Sequence, residues 1–93
     1  MLFVIHCFDK DQHLELRQQT RPEHVAYLEQ FGDQINAAGP TLDEDGNMNG
    51  SVIVFGCDDA QEARSFAAND PYARAGLFRE VLIQEWKKVL PRM

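Results

Sequence analysis

Three residues that can move or hold a proton stand in distinctive local settings. His24 closes Arg-Pro-Glu-His, Asp70 opens Asp-Pro-Tyr, and Ser51 follows Gly50 at the head of an apolar run. Imidazole exchanges its proton near neutral pH, and a carboxylate on Nδ1 fixes the tautomer that leaves Nε2 basic. In a helix beginning at Thr20, His24 is close to the positive end of the dipole, which favours the neutral ring a general base requires. The same position suits a half-buried core histidine bonded to a neighbour. Asp70 is the best-placed acid, because Pro71 holds its backbone extended and it ends the second helix. A plain turn or cap accounts for it equally well.

Other residues could complete a cleft around this pair. Gly39-Pro40 and Gly50-Ser51 flank a hairpin, where N–H groups and one hydroxyl could meet a small anion or carbonyl, or simply make the turns. Arg21, one turn before His24, adds a charge or is merely solvated. Tyr72 walls an apolar cleft or fills core. No glycine-rich nucleotide loop, nucleophile elbow or zinc motif occurs. Asp43-Glu44-Asp45-Gly46 lacks the spacing of a calcium loop, and His6, His13 and His24 fall on separate elements. No metal and no cofactor are expected, and the expected ligand is a small molecule.

These residues must be positioned by a modest fold. Ninety-three residues, 44% hydrophobic and 26% charged, make one globular domain over 1–93. A net charge of −6 argues against nucleic acid and anionic membrane as partners. Cys7 and Cys57 form neither a disulfide framework nor a CxxC unit and are expected as free thiols in the cytoplasm. The opening MLFVIHCF reads as a strand rather than a signal peptide. No stretch nears the roughly 18 apolar residues of a membrane span.

In chain order, Leu2 to Phe8 is a strand apolar on both faces, and Asp9 to Gln19 is a polar connection. A helix comes next, with Thr20 as cap, Pro22 in its first turn and Glu23 completing a capping box; Gly32 stops it. A strand from Ile35 to Leu42 leads through the Asp43–Asn47 and Asn49-Gly50 turns to a strand over Ser51 to Phe55, again apolar on both faces. Asp58 or Asp59 caps a second helix that ends near Asn69, and Glu80 to Trp86 is the last strand. The order β-α-β-β-α-β predicts an α+β, ferredoxin-like sheet with both helices on one face. The other face then needs a layer, and a second copy packed sheet to sheet supplies it. A homodimer is therefore expected, with Cys7 and Cys57 near the same ends of adjacent parallel strands.

The combination of MLFVIHCFDK, RPEHVAYL, AAGP, Gly50-Ser51, NDPYARAGLF and EWKKV resembles the YciI-like (YCII-related) family over nearly the whole chain. The resemblance implies a ferredoxin-like fold that pairs into a dimeric α+β barrel. It also implies a His–Asp active site at His24 and Asp70, with Gly39, Pro40, Ser51 and Tyr72 lining the cleft. The segment Thr41 to Asn49 is short beside longer relatives. The resulting expectation is a cofactor-free acid–base enzyme of lyase, isomerase or dehalogenating type; the alternative is a noncatalytic dimeric module that binds a small metabolite.

Overall fold

The computed structural model describes residues 1–92. Its elements are β1 (Leu2–Asp9), α1 (Leu14–Glu29), a 3-10 turn (Gly32–Gln34), β2 (Ile35–Leu42), β3 (Met48–Gly56), α2 (Ala60–Ala68), α3 (Pro71–Arg74) and β4 (Phe78–Trp86). The strands form one antiparallel sheet in the order β2-β3-β1-β4, so the ferredoxin-like β-α-β-β-α-β path is present, with α3 as a short addition.

Helix α1 begins earlier than the capping box suggests. Gln12 turns the chain at φ 61, and the helix runs from Leu14, with His13 at its N-cap and no side-chain cap bond. Leu14, Glu15, Leu16, Arg17, Gln18 and Gln19 are good helix formers, so helix propagates through the expected start. Thr20 is buried in mid-helix and Pro22 lies inside it. The donor Pro22 lacks would have met the carbonyl of Gln18, on an exposed residue where water can serve.

The remaining boundaries reflect local chemistry. Asp43 Oδ1 accepts from the N–H groups of Asp45 and Asn47 at 2.9 and 3.0 Å, closing the hairpin turn. Asp59 caps α2 by accepting from Glu62 N at 2.8 Å. Asp70 caps α3 by accepting from Tyr72 N at 2.8 Å, with Pro71 in the first turn. At Gly50 a Cβ would collide with the Cys7 carbonyl oxygen and lie 2.6 Å from Thr41 Oγ1, so only glycine lets β3 run between its neighbours there.

The core lies between the sheet and the helices. Phe3, Ile5, Ile53, Phe55, Ala63, Phe66 and Ala67 are buried, with Tyr27, Leu28 and Phe31 packed against them. Phe55 stacks on Phe66 at 4.0 Å between centroids, and Phe31 meets both rings edge-on.

Three expectations are corrected here. The dimeric α+β barrel is not formed: the sheet is open, with β2 and β4 as its edges. The homodimer, expected because one apolar face of the sheet has no covering helices, is likewise not seen: no second layer lies on that face among the described residues. The residues of β1 facing away from the helices, Leu2, Val4, His6 and Phe8, are half-buried among their own neighbours, and Leu82 and Trp86 are exposed. The cysteines are not at like ends of parallel strands either. β1 and β3 are antiparallel with Cys7 opposite Ser51, whereas Cys57 follows Gly56, which lies opposite Leu2. Both are buried free thiols.

Candidate functional site

Helix α1 presents a polar stripe to the interior. Its buried residues are Arg17, Thr20 and His24, three and four apart and therefore on one face. His24 sits well past the middle of the helix, so the dipole argument for its character does not apply. Its partner fixes it instead: His24 Nδ1 lies 2.9 Å from both Asp70 oxygens. Asp70 is 2% exposed and held from the other side by Tyr72 N. A carboxylate can only accept, so Nδ1 carries a proton and, in the neutral ring, Nε2 is the acceptor. Nε2 makes no hydrogen bond among the described residues, yet no enclosed side-chain polar atom there lacks a partner; Nε2 is therefore open to the cavity beside it.

That cavity, about 210 Å³, is lined by Arg21, His24, Gly39, Pro40, Ser51 and Tyr72 among others. The structure thus gathers six of the seven residues singled out from the sequence around one space and sets the seventh, Asp70, behind His24. Asp70 caps a helix and holds the histidine at once, so its two readings are compatible. Tyr72 is 1% exposed, stacks on the His24 ring at 4.0 Å, and has its phenol pushed up by burial, with Arg17 and Arg21 partly offsetting this. Gly39 and Pro40 come from edge strand β2, where a Cβ on Gly39 would meet no atom within 4 Å.

Two residues of this region, Asp9 and Arg17, are not picked out by sequence reasoning. Arg17, 1% exposed, donates through Nε and Nη2 to the Asp9 carboxylate at 2.6 and 2.9 Å, and through Nη2 to Ser51 Oγ at 2.9 Å. Its guanidinium carbon lies 4.4 Å from the Tyr72 ring centroid. Burial alone would push the guanidinium down, but hydrogen bonding and charge from Asp9 outweigh it and the net direction is up. The available signal was spacing: Arg17, Arg21 and His24 share a face once the helix is taken back to Leu14. Cys7, on the strand beside Ser51, is pushed up to about 12 by burial, with the Asp70 charge adding to the shift; it is an inert thiol rather than a nucleophile.

The lining carries Arg17, Arg21 and His24 and no carboxylate, which suits a ligand with anionic oxygen. Among the described residues, no three histidine, cysteine, aspartate or glutamate side chains are grouped to hold a metal ion, and no helix is long and apolar enough to cross a membrane.

Comparison with known proteins identifies relatives of nearly the whole chain. Protein YciI of Escherichia coli is 34% identical over 97 residues, covering 96% of this chain and 99% of its own. An uncharacterised protein of Haemophilus influenzae is 32% identical with the same coverage. Among solved structures, 5-chloro-2-hydroxyhydroquinone dehydrochlorinase of Burkholderia phenoliruptrix, in complex with 2,5-dihydroxybenzoquinone, aligns with a TM-score of 0.87 and 36% identity over 94% of each chain. The YCII-related domain model matches residues 1–87, and the chain belongs to that family.

Proposed function

We propose that this chain is a cofactor-independent enzyme that moves a proton on a small molecule, with His24 as acid–base group and Asp70 as its orienting partner. The observation that carries this reading is the His24–Asp70 pair itself: Nδ1 held by both carboxylate oxygens at 2.9 Å and Nε2 facing the cavity. The arrangement keeps one tautomer in place, so Nε2 can take a proton without the ring first having to turn. Residues 1–93 act as one domain, and the two buried free thiols support a reducing, cytoplasmic setting.

The substrate class is a single oxygenated ring. A cavity of about 150 Å³ admits benzene, so about 210 Å³ leaves room for one ring with small substituents. Likeness to the dehydrochlorinase, whose name specifies a chlorinated hydroxyhydroquinone, supports the same class. In a dehalogenating elimination, Nε2 takes the proton of one ring hydroxyl and returns it to the carbon bearing the halogen, which becomes saturated; Nε2 then takes the proton of a second hydroxyl, that O–H electron pair moves into the ring, and halide leaves the saturated carbon with its bonding pair. In an isomerisation or lyase step the same proton is returned or lost with a different leaving group. Arg21, Ser51 and Tyr72 surround the oxygen that becomes negative, while Gly39 and Pro40 shape the opposite wall.

The test is a panel of small phenols, hydroxyquinones and acids, then proton NMR in deuterium oxide with wild type and His24→Ala. Wild type should exchange or eliminate on at least one oxygenated ring, and His24→Ala should not. Ligand binding with no proton exchange in the wild type would instead assign the cleft to a noncatalytic metabolite-binding module.

A further inference from the structure

The acid–base step leaves the Asp9–Arg17 pair without a role. A buried ion pair is rarely a net gain in stability over apolar residues of the same size, so its presence beside the cavity calls for a local reason. The hydrogen-bond count supplies one. One Nη2 hydrogen of Arg17 goes to Asp9 Oδ1 and the other to Ser51 Oγ, while Nε–H goes to Asp9 Oδ2. Ser51 Oγ therefore accepts from a cationic donor. Its own O–H donates to no acceptor among the described residues, although Ser51 is only 2% exposed and lines the cavity. That hydrogen is left for whatever occupies the cavity.

We propose that Asp9 and Arg17 are positioning residues that make the Ser51 hydroxyl a fixed donor to an anionic oxygen of the substrate, so that the site selects phenolates and enolates over neutral rings of the same shape. The inference rests on the proposed reading of the cavity as a substrate site. Asp9 pairs with the Arg17 charge, so the cavity meets an oriented, polarised hydroxyl beside a guanidinium that is already ion-paired. Arg21, which forms no ion pair among the described residues, adds the net positive charge at the rim. A donor held this way needs no reorganisation as charge develops on the substrate oxygen. Lysine at position 17 would keep the charge opposite Asp9 but lose the planar fork that reaches both Asp9 and Ser51.

The probes are 4-nitrophenolate, at a pH where the phenol is ionised, and nitrobenzene, which keeps the ring and lacks the anionic oxygen. Calorimetric titration of wild type, Ser51→Ala, Arg17→Lys and the double variant reads both affinities. Wild type should prefer the phenolate. Ser51→Ala should lose roughly tenfold or more of phenolate affinity, the scale of one hydrogen bond to a charged acceptor, and leave nitrobenzene affinity unchanged. Arg17→Lys should show the same selective loss, and the double variant no more than either alone. An equal loss for both probes, additive losses, or a wild type with no preference for the phenolate, absence of binding included, overturns the proposal. Should Arg17→Lys fail to fold, the selective effect of Ser51→Ala still decides it. The exchange assay on His24→Ala reads the base separately, so either assignment can fail while the other stands.

Discussion

The layer between sheet and helices has two ends built on opposite principles. At one end Phe31, Phe55 and Phe66 interlock as stacked and edge-on rings in the same cluster as Phe3; at the other Asp9, Arg17, Thr20, His24, Ser51 and Asp70 are all buried. The aromatic end gains stability from removing apolar surface from water, at about 25 cal/mol per Å². The ionic end loses hydration and recovers it only because every enclosed side-chain polar atom among the described residues has a partner. A small fold has little stability to spare. That it keeps so many buried charges at one end is the best physical sign that this end serves chemistry.

The largest effects should come from breaking either end incompletely. Arg17→Met strands the Asp9 carboxylate and is expected to cost about 3–5 kcal/mol in urea unfolding. Adding Asp9→Leu should recover most of that, because an apolar pair needs no charge partner. Phe55→Ala, at the other end, is also expected to cost about 3–5 kcal/mol, but no second truncation will restore it. If Asp9→Leu did not rescue Arg17→Met, the pair would be a stabilising element and the contrast between the ends would fail.

A pH-dependent effect should appear in alkali, at Cys7, which packs in the core next to the strand position of Ser51. Its thiol is pushed up to about 12 in the folded chain by burial and the Asp70 charge, from an ordinary value of about 8.5. Between those values the unfolded chain has lost the proton and the folded chain keeps it. Stability from this group is therefore full below the unfolded pKa and falls as pH rises towards about 12, at up to about 1.4 kcal/mol per pH unit. Urea melts at mildly and strongly alkaline pH should show a shallower decline for Cys7→Ala than for wild type. Equal slopes would mean that the thiol is not enclosed.

Both ends were partly legible in the sequence, and the misses share a cause. A cap at Asp58 or Asp59, Asp70 at its proline corner and the β2 limits depend on neighbours in the chain, so local chemistry reveals them; Gly39-Pro40, expected as a corner, lies within β2. The start of α1 depends on how far helix propagates, and Thr20-Arg21-Pro22-Glu23 imitates a beginning in a segment that is already helical. That error removed Arg17 from the face carrying Arg21 and His24, and with it the partner of Asp9 and Ser51. The antiparallel pairing of β1 with β3 and the open sheet are long-range properties, and alternation of apolar residues cannot separate a half-buried face from a buried one.

His24→Ala should change stability less than either core truncation, by under ~2 kcal/mol, because the ring borders a cavity and its loss leaves Asp70 still bonded to Tyr72 N. Asp70→Asn should keep the fold but let the imidazole tautomer change, so exchange falls while ligand affinity is largely kept. Urea melts run beside the deuterium exchange assay separate the two quantities. Severe unfolding of His24→Ala would move His24 from the functional end to the structural one.

The smallest expected effect is the sharpest test of what the ionic end is for. Gly39 lies on edge strand β2, its backbone is outside the left-handed region, and a Cβ there would meet no atom within 4 Å. Nothing in the packing therefore requires glycine. Alanine should be accepted and should stabilise the chain by about 0.4–1 kcal/mol, since it restricts the unfolded state without straining the folded one. Yet Gly39 lines the cavity beside His24, Ser51 and Tyr72, and an added methyl group there takes space from a bound ring. Gly39→Ala is expected to raise the urea midpoint slightly and to weaken binding of an oxygenated ring. A gain in stability with unchanged ring binding would take Gly39 out of the cavity wall, and a loss of stability would show that the strand needs glycine after all.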